Sequence, residues 1–110
     1  MNIYPYQQSF QALLKLTANT QSLQNRIGNA YIYNISFINI DHIPEHLRND
    51  LRDINNILTK NSHIDGNDSI SIAKRISDID AVEIAQKIVS LILSICESHQ
   101  DKAALPQKYE

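Results

Sequence analysis

His42 and His46 have the spacing of a helical metal site. Two imidazoles four residues apart share one face of a helix, which Asp50 would continue and His63 could reach from a loop. Zinc needs three or four ligands, however, and the His-Glu-x-x-His pattern is absent. His42 also precedes Pro44 and therefore lies before the helix. We expect two exposed histidines and no metal ion.

Cys96 is the one thiol in the sequence that could act as a nucleophile. A reactive cysteine needs a lowered pKa, which a helix N-terminus or a basic neighbour provides. Cys96 falls instead near the predicted C-terminal end of a helix, among Ile92, Leu93 and Ile95. We expect a buried core cysteine. A single cysteine with no signal peptide also indicates a reducing compartment.

The other candidate groups are charged pairs: Asp50 with Asp53, Asp78 with Asp80, Arg48 with Arg52, and Lys74 with Arg75. Acid–base catalysis by two carboxylates requires unequal environments within a cleft, and no feature of the sequence predicts one. The basic pairs could bind phosphate or an acidic partner, but neighbouring acids make local ion pairing the simpler interpretation. We expect solvated or helix-capping charges.

The sequence gives little support for the binding of nucleic acids or nucleotides. Gly28 and Gly66 stand alone, so no glycine-rich phosphate loop exists. The connection at residues 62–68 is too long for a helix-turn-helix. The net charge is −2; residues 1–40 carry only Lys15 and Arg26 and no acid, and the remaining cations are scattered.

Aromatic residues at positions 31–37 are the sharpest functional feature. Tyr31, Tyr33 and Phe37 lie next to an apolar stripe, and aromatic side chains are enriched at interface centres. The alternative is that all three fill the domain's own core. We predict Tyr33, Phe37 and Ile40 as partner-binding residues.

The elements that position these residues are predicted to be helices. A first helix starts at Pro5, a second covers about 22–39, a third starts at Pro44, a short fourth follows the 62–68 loop, and a fifth runs from Ser77 to about Ser98. The predicted inward stripes are Tyr6, Phe10, Leu13, Leu14 and Thr17; Leu23, Ile27, Ala30, Tyr31, Asn34 and Ile38; Leu47, Leu51, Ile54 and Leu58; and Ile70, Ala73 and Ile76. Asn61 is expected to end the third helix in a left-handed conformation.

The second segment is the hardest to assign. Residues 31–40 are rich in β-branched and aromatic side chains, which strands favour. The helical spacing is continuous from Leu23, and no second strand is available for pairing. We predict a helix, with a strand as the alternative.

The fifth helix has more apolar surface than one small domain can cover. Its polar residues fall in one narrow strip: Glu83, Gln86, Lys87, Ser90, Ser94 and Glu97. The second helix carries an additional stripe with Tyr33, Phe37 and Ile40. Because large exposed apolar patches mark interaction sites, we expect a homodimer or a stable protein partner.

Length and composition fit one folded domain. The chain has 110 residues, of which 43% are hydrophobic and 20% charged, values typical of globular proteins. We predict an all-α fold, a compact single-domain bundle of four to five helices over residues 1–110, with a frayed tail at about 99–110. The sequence lacks a signal peptide and a membrane span, so we expect a cytoplasmic protein. Its 18 Ile and 11 Asn indicate an AT-rich, bacterial or phage, genome.

By elimination, the sequence predicts a small interaction or regulatory protein, such as an adaptor, inhibitor or immunity-type factor, that binds another protein. It predicts no enzyme and no cofactor. The alternative is a small enzyme or ligand-binding helical protein with a site between subunits. A third possibility is nucleic-acid binding through a dimer surface.

Overall fold

The protein is an all-α bundle. Its structure, a computed structural model, describes residues 5–104, with all their side chains except those of Asp65 and residues 99–104. In chain order the helices are α1 (Pro5–Thr17), α2 (Leu23–Tyr33), α3 (Glu45–Thr59), α4 (Ser62–Asp65), α5 (Ser69–Lys74) and α6 (Asp78–Ala104). Two 3-10 turns, Ile35–Phe37 and Ile40–His42, connect α2 to α3. The predicted fold class is confirmed.

Helix α3 forms as its sequence predicts. Pro44 precedes its first residue, Glu45 lies in its first turn, and an acid there is stabilised by the helix dipole. The predicted stripe is buried throughout: Leu47, Leu51, Ile54 and Leu58. Asn61 follows the helix with φ of 67°, which confirms the expected left-handed residue at this end.

Helix α6 is the longest element and the centre of the packing. Ser77 caps it by accepting a hydrogen bond from the backbone N–H of Asp80 at 3.1 Å, which satisfies one of the free donors of the first turn. The helix continues to Ala104, past the expected end near Ser98. It contacts α1, α2 and α3, and its buried residues Ile88 and Ile92 lie in the middle of the core.

Helix α1 buries a face that overlaps only in part with the predicted one. The structure buries Gln8, Ser9, Ala12 and Leu16, while Phe10, Leu14 and Thr17 are exposed and Tyr6 and Leu13 are partly buried against the core. The prediction for Phe10 and Leu14 was therefore wrong. The small residues Ser9 and Ala12 are fully buried, whereas the larger Phe10 and Leu14 point outward.

The segment after α2 is neither the continuous helix predicted for 22–39 nor a strand. Helix α2 ends at Tyr33, and 3-10 turns take over. The predicted core stripe still holds, since Ile27, Ala30 and Tyr31 are buried on α2 and Ile38 is buried after it.

The α2–α5 contact depends on Gly28. A Cβ atom at this position would lie 2.5 Å from the backbone oxygen of Ser69, closer than real Cβ atoms come. Glycine thus allows the two backbones to touch. On α5 itself the buried residues are Ile72 and Ala73, whereas Ile70, predicted to point inward, is exposed. Part of the predicted loop, Ser62–Asp65, forms the single turn α4.

Candidate partner-binding surface

The predicted partner-binding residues lie at the end of α2 and in the connection to α3. We call residues 33–40 the aromatic segment. Tyr33 is 58% exposed and Phe37 67% exposed, whereas Ile40 is partly buried against the core. Tyr31, the third aromatic residue of the predicted cluster, is buried. Of the three aromatic residues, only Tyr31 fills the domain's own core, while Tyr33 and Phe37 are on the surface.

The chain leaves the α-helix at Asn34. Asn34 has φ of −135° and ψ of −61°, outside the helical region, although its N–H still donates to the carbonyl of Ala30. The backbone then turns more tightly. The N–H of Phe37 donates to the Asn34 carbonyl at 3.1 Å, and the N–H of Ile38 donates to the Ile35 carbonyl at 3.0 Å. These i to i+3 bonds place Ile35 and Ile38 inward and Phe37 outward.

A buried amide cluster fixes the start of the aromatic segment. Asn34 is only 2% exposed. Its side-chain nitrogen donates to the Oε1 atoms of Gln8 at 2.9 Å and of Gln11 at 3.1 Å, both on α1. Because a buried amide is costly to leave unpaired, these bonds pin the end of α2 to α1. The sequence placed Asn34 inward, but nothing in it identified Gln8 and Gln11 as its partners.

A lysine lies beside the aromatic segment. The Lys15 ammonium is 5.9 Å from the centre of the Tyr33 ring, at the outer limit of a cation–π contact. Residues 1–40 hold no acid, so the only formal charges on α1 and α2 are positive. Arg26 is already engaged, since its Nη1 donates to the carbonyl of Leu16 at 2.8 Å.

The described histidines do not group with other potential metal ligands. His42 lies in the second 3-10 turn and His46 in the first turn of α3, and both are exposed. Within the described residues, no group of three or more His, Cys, Asp or Glu side chains could hold a metal ion.

The basic pairs have structural contacts. Arg75 donates from Nη1 to the carbonyl of Gly66 at 2.6 Å and from Nη2 to that of Leu58 at 2.7 Å, which ties the 62–68 connection to α3. The Nε of Arg48 donates to the carbonyl of Ile43 at 3.2 Å. Arg52 donates to Asn49 on its own helix, while Lys74 is exposed.

Cys96 lies at the edge of the core. The sequence predicted a fully buried cysteine, but Cys96 is only half-buried. Partial burial raises the pKa of its thiol above the ordinary value, because desolvation penalises the thiolate. This environment is the opposite of the one that activates a cysteine nucleophile.

In the described part of the chain, no helix is both long and apolar enough to cross a bilayer. Comparison of the chain with protein-family models, with curated proteins and with solved structures found no match in any of the three. The aromatic segment, with its buried amide anchor, therefore stands as the candidate site on its own geometry.

Proposed function

We propose that this chain is a small interaction or regulatory protein that binds another protein through Tyr33 and Phe37, with Ile40 at the inner edge. The observation that carries the proposal is the exposure of both aromatic rings, in a chain with only five Tyr and two Phe. An exposed ring brings large contact area at small entropic cost, and aromatic residues dominate interface hot spots.

Preorganisation of the aromatic segment supports the same proposal. Asn34 is pinned to α1 by its two amide bonds, and Ile35 and Ile38 are anchored in the core. Tyr33 and Phe37 are thus attached to a backbone held from both sides. A partner would pay little to order that backbone, which leaves more of the contact energy for affinity.

Charge restricts the partner. Lys15 lies beside Tyr33, and α1 and α2 carry no acid. An acidic rim on the partner would therefore meet complementary potential and no repulsion from these two helices. We propose a partner that inserts apolar side chains between acidic ones.

The amino-acid composition supports a proposal for the source and the cellular compartment of the protein. The abundance of Ile and Asn supports an AT-rich bacterial or phage source. The single cysteine supports a reducing, cytoplasmic compartment.

The test is a comparative capture experiment. Immobilised wild-type protein and the double variant Tyr33→Ser/Phe37→Ser are exposed to an extract of the native host, and bound proteins are identified by mass spectrometry. A protein bound by the wild type and lost with the double variant is then titrated by calorimetry. We expect its affinity to fall at least about 30-fold, the factor that corresponds to an interface hot spot.

Phe10→Ser provides the matched control. Phe10 is 56% exposed on α1, so this variant removes a similar area of exposed aromatic surface elsewhere. The captured protein must remain bound to it. Equal loss with the control, or undiminished binding by the double variant, would contradict the proposal.

A further inference from the structure

A cleft opens between α3, α5 and α6, on a part of the surface that the proposed function does not use. Its volume is about 620 Å³, within the roughly 300–1,000 Å³ of pockets that hold small organic ligands. The C-terminal end of α3, α5 with the residues that follow it, and the first turns of α6 all contribute to its lining. The whole cleft is therefore formed by one copy of the chain.

Aliphatic side chains form the inner lining of the cleft. Each of the three helices contributes one buried residue: Leu58 from α3, Ile72 from α5 and Ile84 from α6. Ile76 and the 40% exposed Ile57 extend this lining outward. Moving apolar groups of a ligand from water onto these side chains is favourable in proportion to the area that is buried. The lining therefore favours a ligand with an aliphatic body.

Charged side chains of both signs lie around this aliphatic lining. Asp80 and Glu83 are three residues apart on α6 and so are neighbours on its surface. Lys87 follows one turn later, and Lys60 comes directly after α3. All four are exposed. A ligand with a single charge would be attracted by two of these groups and repelled by the other two, whereas a ligand with one charge of each sign complements all four.

Arg75 also lines the cleft, but its guanidinium is engaged in the fold. Its Nη1 donates to the carbonyl of Gly66 and its Nη2 to that of Leu58. Since Leu58 is itself a lining residue, these bonds hold the end of α5 against α3 and fix the distance between two sides of the cleft. A cleft that is already formed demands little ordering when a ligand binds. We therefore assign Arg75 to the wall of the cleft and not to the charges of the ligand.

We propose that this cleft binds a small aliphatic zwitterion, namely a free peptide of two or three apolar residues. The side chains of the peptide lie against the aliphatic lining. Its terminal ammonium is bound by Asp80 and Glu83, and its terminal carboxylate by Lys60 and Lys87. A fatty acid carries only the second of these charges, and the end of a longer protein chain carries only one of the two. Each of these ligands therefore complements only half of the charged groups.

A titration followed by two-dimensional amide NMR tests the class of ligand. Trileucine is the probe, and trileucine blocked at its amino end, at its carboxyl end or at both ends forms a series with the same aliphatic body. We expect trileucine to shift the amide resonances of Ile57, Ile84 and Lys87. Each single block should weaken binding at least about threefold and the double block at least about tenfold, because an exposed ion pair contributes up to about fivefold in affinity.

The outcomes of this titration separate the ligand classes. Equal binding of all four peptides would show that the charged groups take no part. Weakening by only one of the two blocks would show that the site takes a ligand with a single charge. Failure of trileucine to shift the cleft resonances would remove the site. Each of these three results overturns the proposal.

Charge-neutralising variants test the assignment of the two ends. Glu83→Gln should weaken trileucine at least about threefold and leave the affinity of the amino-blocked peptide unchanged. Lys60→Gln should do the same with the carboxyl-blocked peptide. The matched controls are Glu97→Gln on α6 and Lys74→Gln on α5, both exposed and outside the cleft. Equal weakening by the controls, or variants that weaken free and blocked peptides alike, would contradict the assignment. Circular dichroism must show unchanged helix content in all four variants.

Ile57→Ser tests the aliphatic lining. It removes apolar contact area at the mouth of the cleft, so we expect it to weaken all four peptides by the same factor. Ile70→Ser is the matched control, since Ile70 is 64% exposed on α5 and must not affect binding. Undiminished binding by Ile57→Ser, or an equal loss with Ile70→Ser, would contradict the position of the peptide.

This inference does not rest on the proposed function, because the cleft shares no residue with the aromatic segment. Tyr33→Ser/Phe37→Ser must bind trileucine with the affinity of the wild type, and Glu83→Gln must still bind any protein that is captured through the aromatic segment. Loss of trileucine binding in the aromatic double variant would show that the peptide occupies the aromatic segment, and would overturn the assignment to the cleft.

Discussion

The α3–α6 half and the α1–α2 half of the bundle are held together by different chemistry. Helix α3 meets α6 through large aliphatic side chains, with Leu51 and Ile88 fully buried. The α1–α2 half buries Leu16 and Ile27 together with the small residues Ala12 and Ala30, and the Asn34 amide adds a hydrogen bond to Gln8. Both halves nevertheless expose large apolar side chains: Phe10, Leu14, Tyr33 and Phe37 in the α1–α2 half, and Ile57, Ile79, Val82 and Leu93 in the α3–α6 half.

The largest stability effect is expected in the aliphatic half. Leu51→Ala should lower the free energy of unfolding by about 2–5 kcal/mol, because it removes buried bulk from a tightly packed site. Leu14→Ala, on the exposed side of α1, should stay within about 0.5 kcal/mol. Urea titration measures the free energy of unfolding of both variants. A loss below about 0.5 kcal/mol for Leu51→Ala would remove the contrast between the halves.

The next effect concerns Gly28, where α2 touches α5. Glycine to alanine inside a helix ordinarily stabilises by about 1 kcal/mol. Here the new methyl group would meet the Ser69 carbonyl, so we expect a loss of about 2 kcal/mol, within the usual cost of overpacking. Asn25→Ala, exposed on the same helix, should be neutral or slightly stabilising. Stabilisation by Gly28→Ala would mean that the backbones are further apart.

A smaller loss is expected at the amide cluster. Asn34→Ala should cost about 1–2 kcal/mol, because the buried Gln8 carbonyl loses its donor. A double-mutant cycle with Gln8→Ala isolates the pair, and the two changes together should cost less than their sum. Strict additivity in thermal or urea unfolding would contradict the idea that this bond joins α1 to the end of α2.

The smallest effect is a pH dependence at α5. The backbone N–H of Ser71 donates to the Asp68 carboxylate at 2.8 Å and holds its pKa below the ordinary value. The stabilisation is therefore present above the pKa of the unfolded chain and is lost as the pH falls through the lower, folded value. Asparagine caps helices equally well without titrating, so Asp68→Asn should lose less stability on acidification. Parallel acid profiles in urea unfolding would contradict this.

The two halves also differ in how far the sequence predicts them. The stripe from Leu47 to Leu58 was predicted correctly because hydrophobic periodicity reports the packed face whenever large side chains do the packing. On α1 the same periodicity predicted that Phe10 and Leu14 are buried, but both are exposed. A hydropathy pattern cannot predict the burial of Ala12 or the hydrogen bond between Gln8 and Asn34. Both depend on residues that are distant in the sequence.

The sequence predicted only part of the geometry of the candidate site. Helical spacing from Ile27 separated Tyr31 from Tyr33, and the structure buries the first and exposes the second. The spacing could not show that the helix ends at Asn34, because β-branched residues there lower helical propensity without fixing what replaces it. The position of Phe37 follows from the 3-10 turn, which starts next to the Asn34 amide bonded to α1.

The central position of α6 has a consequence for the growing chain on the ribosome. Helix α3 packs mainly against α6, yet α6 is the last described helix to be synthesised. At typical rates of translation the interval between the two lasts on the order of seconds. During that time the stripe around Leu51 and Ile54 has no stable partner within the nascent chain. We therefore expect chaperones that recognise aliphatic segments to bind newly made α3 and to be displaced when α6 emerges.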